Sequence, residues 1–221
     1  MTSFTEENYL KAIYHLSHSK GGGSVSTSEL AESTQTRAAS VSDMLRKLSD
    51  KAFINYIKYQ GVTLTDSGLQ IALKVIRKHR LWEVFLVEKL GFGWGEIHEI
   101  AEQLEHIDAV ELTSRLDDFL GNPKFDPHGD PIPDVKGNLP KVDSIKLSEA
   151  TIGNTLVVVG VLEDSTSFLQ HLDKIDFKLG LSLKVLEISS FDKSVEVELT
   201  ERGNRKRLSF EVARNILVNI H

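Results

Sequence analysis

The chain has 221 residues with 40% hydrophobic and 26% charged residues, the composition of an ordinary globular protein with material for one large domain or two to three small ones. Cysteine is absent, which excludes disulfides, thiolate-held iron–sulfur clusters, cysteine nucleophiles and Cys-type zinc sites. The net charge of -6 argues against nucleic acid only at first sight. Residues 1–65 carry +1, residues 66–145 carry -6 and residues 146–221 carry -1, so the acid lies in the middle and the first segment is free to meet phosphate. No apolar run reaches the roughly 18 residues of a membrane helix. The opening MTSFTEENYL lacks a signal peptide's layout, and a cytoplasmic location is expected.

The first predicted helix starts with Thr5 as cap and Glu6 and Glu7 in its first turn, and carries Tyr9, Leu10, Ile13 and Leu16 at helical spacing. Gly21, Gly22 and Gly23 end it. A short helix from Ser28 to Glu32, the turn TQT and a third helix from Arg37 to Asp50 follow, the last with Val41, Met44, Leu45 and Leu48 on one face. INYIKY and VTLT flank Gln60-Gly61 and read as a hairpin. This order is that of a winged helix-turn-helix, whose third helix enters the major groove. Arg37, Ala39, Ser40, Ser42, Arg46 and Lys47 are the positions expected at DNA, the polar ones supplying donors for base edges and phosphates. A small helical domain with a solvated helix face is the alternative reading of the same order.

Thr65 is expected to cap a helix over about 66–90. A second helix starts near Gly95, and a third runs from about Ala109 to Leu120. The loop GNPKFDPHGDPIPD then holds four prolines within twelve residues, and a domain boundary is expected near 135–148. The tail is β-rich, with strands in NTLVVVGVLE, SLKVLEISS and SVEVELTE and a helical stretch near Ser165–Leu172, a pattern that suggests a small barrel. The expected division is 1–65, 66–145 and 146–221.

The middle segment carries the chemistry. His79 and Glu83 are four apart, His98 and Glu102 repeat that spacing, and Glu105 and His106 lie three and four after Glu102. Two antiparallel helices so equipped can close a metal site of imidazole nitrogens and hard oxygens, which suits manganese, ferrous iron or zinc. Exposed Glu–His pairs at this spacing are also ordinary surface pairs. A metallohydrolase would need an open coordination site and a nearby base, and no HExxH signature is present. A winged-helix regulator answering to an organic ligand would need no stacked His/Glu pairs.

RKHRLWEVFLVEKLG, IHEIAEQLEHI and GNPKFDPHGDPIP resemble the diphtheria toxin repressor family of iron- and manganese-dependent regulators, as do TEENYLKAIY and ASVSDMLRKLSDKAFI with YQGVTLTDSG. The resemblance covers about residues 4–134; the tail is similar to that family's SH3-like, FeoA-related domain. It implies a mainly α fold with α+β elements: a winged helix-turn-helix, a helical dimerisation domain and a small SH3-like β-barrel. It implies a transcriptional repressor with Mn2+, or alternatively Fe2+, as corepressor, acting as a homodimer on a palindromic double-stranded operator, with no catalysis and no membrane partner. Its primary metal position would take Asn8, Glu102, Glu105 and His106. Its ancillary one would take His79, Glu83 and His98, with Asp164 from the tail and Asp126 and His128 as further candidates. Iron-sensing relatives have cysteine at the position of Glu102 and methionine at that of Asn8. Manganese-sensing relatives share Glu102 and usually have aspartate for Asn8. The chain thus sides with manganese at Glu102. Lys11 stands where one two-manganese subtype has a glutamate, which argues against that subtype's metal pair here.

Other residues have plainer readings. His15 and His18 suit the end of the first helix, and His171 and His221 suit the surface. Trp82 and Phe85 suit a dimer or domain core. The basic cluster RGNRKR at 202–207 suits a strand end or turn rather than DNA.

Overall fold

Ser3 starts the first helix in the computed structural model, which describes residues 2–57, 60–141, 143–163, 165–200 and 203–220. The Ser3 hydroxyl accepts from the Glu6 N–H while the Glu6 carboxylate accepts from the Ser3 N–H, a capping box that puts the cap of α1 (Phe4–Ser19) two residues ahead of the expected cap, Thr5. Ser26 and Glu29 repeat the device for α2 (Thr27–Ser33). Helix α3 (Ala38–Asp50) begins after Arg37 and buries Val41, Leu45 and Leu48. Strands β1 (Ile54–Ile57) and β2 (Gly61–Leu64) form the expected antiparallel hairpin, in register from Ile54 opposite Leu64 to Ile57 opposite Gly61. Tyr9, Leu10, Ile13, Leu30, Val41, Leu45, Leu48, Ile54 and Val62 make one core, so α1 and α3 are packed as parts of a single body.

Helix α4 (Asp66–Leu90) has the expected bounds. Thr65 Oγ1 accepts from the Gly68 N–H at 3.2 Å, satisfying one of the helix's orphan donors. A side-chain carbon at Gly68 would come within 2.0 Å of the Phe53 carbonyl oxygen, so only glycine lets α4 start this close to the chain leaving α3. Helix α5 (Ile97–Leu104) is shorter than its sequence pattern, because Glu105 and His106 lie in the turn after it. Helix α6 (Val110–Phe119) follows. No described helix is long and apolar enough to cross a membrane.

Beyond the proline-rich loop come β3 (Ile145–Lys146), β4 (Thr155–Val161), α7 (Thr166–Lys174), β5 (Ser182–Ile188), β6 (Val195–Leu199), β7 (Arg205–Leu208), α8 (Phe210–Ala213) and β8 (Ile216–Ile220). The strands form one antiparallel sheet in the order β3-β8-β4-β5-β6-β7. Leu156, Val158, Leu183, Val185, Val195, Val197, Ile216 and Val218 build its core, closed by Leu169 and Leu172 of α7. The basic residues of β7 are spent inside this tail: Arg207 is bound to Glu187 at 2.9 Å and also to Glu196, and Lys206 to the Ile175 carbonyl.

Two compact units divide the chain. One comprises Met1–His79, Glu105–Asp108 and Pro133–Leu139; the other comprises Arg80–Leu104, Ala109–Ile132 and Pro140–His221.

Candidate metal centre and nucleic-acid interface

Helix α3 presents Arg37, Ala39 and Ser40 to solvent at its start, where backbone N–H groups also point outward. Ser42 is half-buried, its hydroxyl donating to the Ala38 carbonyl at 2.9 Å. Arg46 is exposed and pairs loosely with Asp43 at 3.1 Å. Lys47 is drawn back toward α1: its ammonium lies 2.9 Å from Glu6 Oε1, which Lys51 also binds at 2.8 Å. Burial alone would raise the Glu6 carboxyl, but hydrogen bonds from Lys51, the Ser3 N–H and Lys47 overcome it and lower the pKa to about 2.

In the same unit, Glu105 is buried and held from three sides. Lys11 Nζ reaches its two oxygens at 2.6 and 2.9 Å, and His79 Nδ1 lies 2.6 Å from Oε2. His106 Nε2 lies 3.6 Å from Oε1, and its Nδ1 meets Glu7 Oε2 at 2.8 Å. The Phe4 ring stacks on His106 with centroids 4.7 Å apart. Burial would raise the Glu105 carboxyl; the His79 hydrogen bond and the Lys11 charge hold it below its ordinary value. Asn8 is exposed on α1 beside Glu7.

The second unit holds another cluster. Glu83, Asp126 and His128 are all buried, and each offers one ligand atom within 4.8 Å of the others. The Asp126 carboxylate accepts from the N–H groups of His128 and Asp130 at 2.8 and 2.9 Å, which shapes the loop into a tight turn. Arg80 braces it by donating to the Pro131 carbonyl and facing Asp126 at 3.5 Å and Asp130 at 3.2 Å. Burial, then the charges of Glu83 and Asp130, push the Asp126 carboxyl well above its ordinary value, against the pull of Arg80. His128 Nε2 is buried with no hydrogen-bond partner among the described residues, and the Trp94 ring lies edge-on to the imidazole at 6.0 Å. Two crowded carboxylates beside an orphaned imidazole nitrogen fit a divalent cation with oxygen and nitrogen ligands.

His98 is exposed, 3.6 Å from Glu83 Oε1 and 3.7 Å from Glu102 Oε1. His79 stands one turn before Glu83 on α4. Asp164 lies outside the described residues. The structure thus brings Glu83 together with Asp126, His128 and His98, and Glu105 with His106 and His79.

Glu7, Lys11, Arg80 and Trp94 were not expected at these clusters. For Glu7 and Lys11 a signal existed: they are four apart and share one face of α1. Arg77 and Arg80, three apart, likewise present one face, and Arg77 donates to the Pro133 carbonyl.

Comparison with known proteins agrees with this architecture. Residues 1–62 match the iron dependent repressor N-terminal DNA binding domain, 65–134 the iron dependent repressor metal binding and dimerisation domain, and 145–220 the FeoA domain. The chain is 31% identical over 162 residues to the iron-dependent repressor IdeR of Mycobacterium tuberculosis, covering 70% of each. It superposes on a manganese-dependent transcriptional repressor in complex with manganese with a TM-score of 0.84, at 35% identity over 97% of this chain and 99% of that one. It is also 43% identical over 86 residues to a probable metal transport system membrane protein of Chlamydia trachomatis, of which it spans only 19%. The fold is that of a metal-dependent DNA-binding transcriptional regulator. The chain belongs to the iron-dependent repressor family, whose members are regulators of metal homeostasis rather than enzymes and depend on iron or manganese.

Proposed function

We propose that this chain represses its target genes as a homodimer on a palindromic operator, with Mn2+ as corepressor and Fe2+ as the alternative. The observation that carries the metal reading is the buried Glu83–Asp126–His128 cluster with its orphaned imidazole nitrogen. Those three residues would hold one ion, with His79, His98 and Asp164 as further donors. Glu102, Glu105 and His106, with Asn8 from α1, would hold the other. A bound divalent ion supplies the positive charge that lets these carboxylates and imidazoles share one buried centre.

The protein's own residues link this to DNA. Glu7 and Lys11 tie α1 to His106 and Glu105, and α1 shares its core with α3. What holds Glu105 and His106 therefore bears on where α3 stands. A two-fold operator needs the two α3 helices of a dimer about 34 Å apart, and restricting α1 favours one spacing out of an ensemble. Arg37, Ala39, Ser40, Ser42, Arg46 and Lys47 would meet the major groove. This reading assigns residues 1–65 to DNA, 66–145 to metal and dimerisation and 146–221 to support of the second cluster, and it implies action in the cytoplasm.

Fluorescence anisotropy of a labelled operator tests the proposal. Tight, sequence-specific binding is expected with Mn2+ and only weak, salt-sensitive binding with chelator. Equal operator affinity in both conditions would remove metal from the mechanism. Light scattering of the complex should give two subunits, or a multiple of two, per duplex.

A further inference from the structure

Glu105 has a cation already. The Lys11 ammonium sits on both carboxylate oxygens, with 12% of the lysine side chain and 1% of the glutamate side chain exposed. A pair this dry is not a surface ion pair. Losing one partner would leave a buried charge uncompensated. His79 takes Oε2 as well, at 2.6 Å. Both oxygens of this buried carboxylate are therefore taken by the protein's own groups.

We propose that Lys11 is a tethered competitor for the cation at Glu105: its ammonium holds both oxygens in the metal-free protein and must leave at least one of them when a divalent ion binds there. This rests on the reading of Glu105 as a metal ligand given above. An ammonium and a divalent ion cannot both occupy one buried carboxylate without strong like-charge repulsion. Lys11 thereby weakens metal affinity at this position and raises the metal concentration at which it responds. It also keeps α1 docked, through a neutralised carboxylate, while metal is scarce.

The test is titration calorimetry of the full-length chain with MnCl2, using wild type, Lys11→Met, Lys11→Gln, Lys11→Arg and Glu105→Gln, with thermal melting of each metal-free protein. The step that Glu105→Gln abolishes reports on Glu105. In Lys11→Met and Lys11→Gln that step should tighten at least tenfold, while Lys11→Arg should stay near wild type. Metal-free Lys11→Met should melt below wild type, and Mn2+ should raise its melting temperature by more than it raises that of wild type. Lys11→Gln retains an uncharged hydrogen-bond donor and serves if Lys11→Met folds poorly. An unchanged or weaker Glu105-dependent step in both neutral variants overturns the competitor role while leaving Glu105 a ligand. Absence of any Glu105-dependent step in wild type and all variants overturns that ligand assignment and the competitor role together.

Discussion

Gly129 and Gly160 meet backbone to backbone: a side-chain carbon on Gly129 would stand 2.3 Å from the Gly160 Cα and 2.1 Å from the Val159 carbonyl oxygen. Gly129 also has a φ of +88°. Its neighbour His128 gives its carbonyl oxygen to the Val161 N–H at 2.9 Å, next to a bulge in β4. The loop that carries Asp126 and His128 is thus seated on the tail's sheet by two residues without side chains. Gly129→Ala should lift that loop, with a destabilisation of about 1–3 kcal/mol. Calorimetry with MnCl2 should show the site that needs Asp126 and His128 weakened while the Glu105-dependent step persists. Unchanged binding at both would show that the seating does not position these ligands.

Trp94 provides an optical reading of the second cluster, because its ring lies against His128. Adding Mn2+ should change the tryptophan emission, and Trp94→Phe should remove most of that change while Trp82 remains. His128→Ala should remove it too and lower the stoichiometry by one ion per subunit. A response that survives in His128→Ala would place the ion elsewhere.

Glu102 should govern which metal activates. Replacing its hard oxygen with a thiolate in Glu102→Cys is expected to move activation of operator binding toward ferrous iron or cobalt and away from manganese. Anisotropy measured across the metals reads the order of activation, and calorimetry separates it from affinity. If the order does not move, Asn8 is the next residue to exchange.

Glu6 makes stability depend on acid. Its folded pKa of about 2 lies below its ordinary 4.5, so the stabilisation is complete above about pH 4.5 and is lost as pH falls toward 2. Because Lys47 and Lys51 are partly solvated, we expect about 1–2 kcal/mol rather than the full value of the shift. Urea melts between pH 5 and 2.5 should show this slope in wild type and a shallower one in Glu6→Gln. The same variant frees Lys47 on the face expected at DNA. Non-specific DNA affinity should therefore hold or rise slightly, even as stability falls.

Arg80 should matter to the second cluster without being a ligand. Arg80→Gln removes the charge facing Asp126 and the donor to the Pro131 carbonyl. The buried Asp126 carboxylate then loses its main attraction, and the loop should loosen by about 2–4 kcal/mol in the metal-free protein. Mn2+ should recover part of that loss, read as a larger metal-induced rise in melting temperature than in wild type. No such difference would show that Arg80 acts on the loop backbone alone.

The elements legible in advance were those with local causes. The bounds of α4 follow from the Thr65 cap at its start and Gly91 just past its end, and the hairpin from Gln60-Gly61 between two β-rich runs. The start of α1 is less legible: Thr5 is the expected cap, and the structure uses Ser3 instead. Ser3 and Thr5 both precede glutamates, and only the reciprocal bond to Glu6 decides which one caps. The pairing within α1 of Glu7 with Lys11 was visible as spacing, but its targets 94 and 99 residues away were not.

By itself the sequence determined the order of the winged helix, the acid and histidine stripes of the middle segment and the β-rich tail, because capping, periodicity and turn chemistry act over a few residues. It also determined, through the absence of cysteine, that no thiolate of this chain holds a metal. The tertiary structure decided the rest. It chose Lys11 and His79 as the partners of Glu105, and it joined Glu83 to Asp126 and His128 over 40 residues further on. It also paired the exposed Arg207 of β7 with Glu187 and Glu196 of its own sheet. Those outcomes depend on which charges burial forces together, and burial is a property of the packed chain, not of any segment within it.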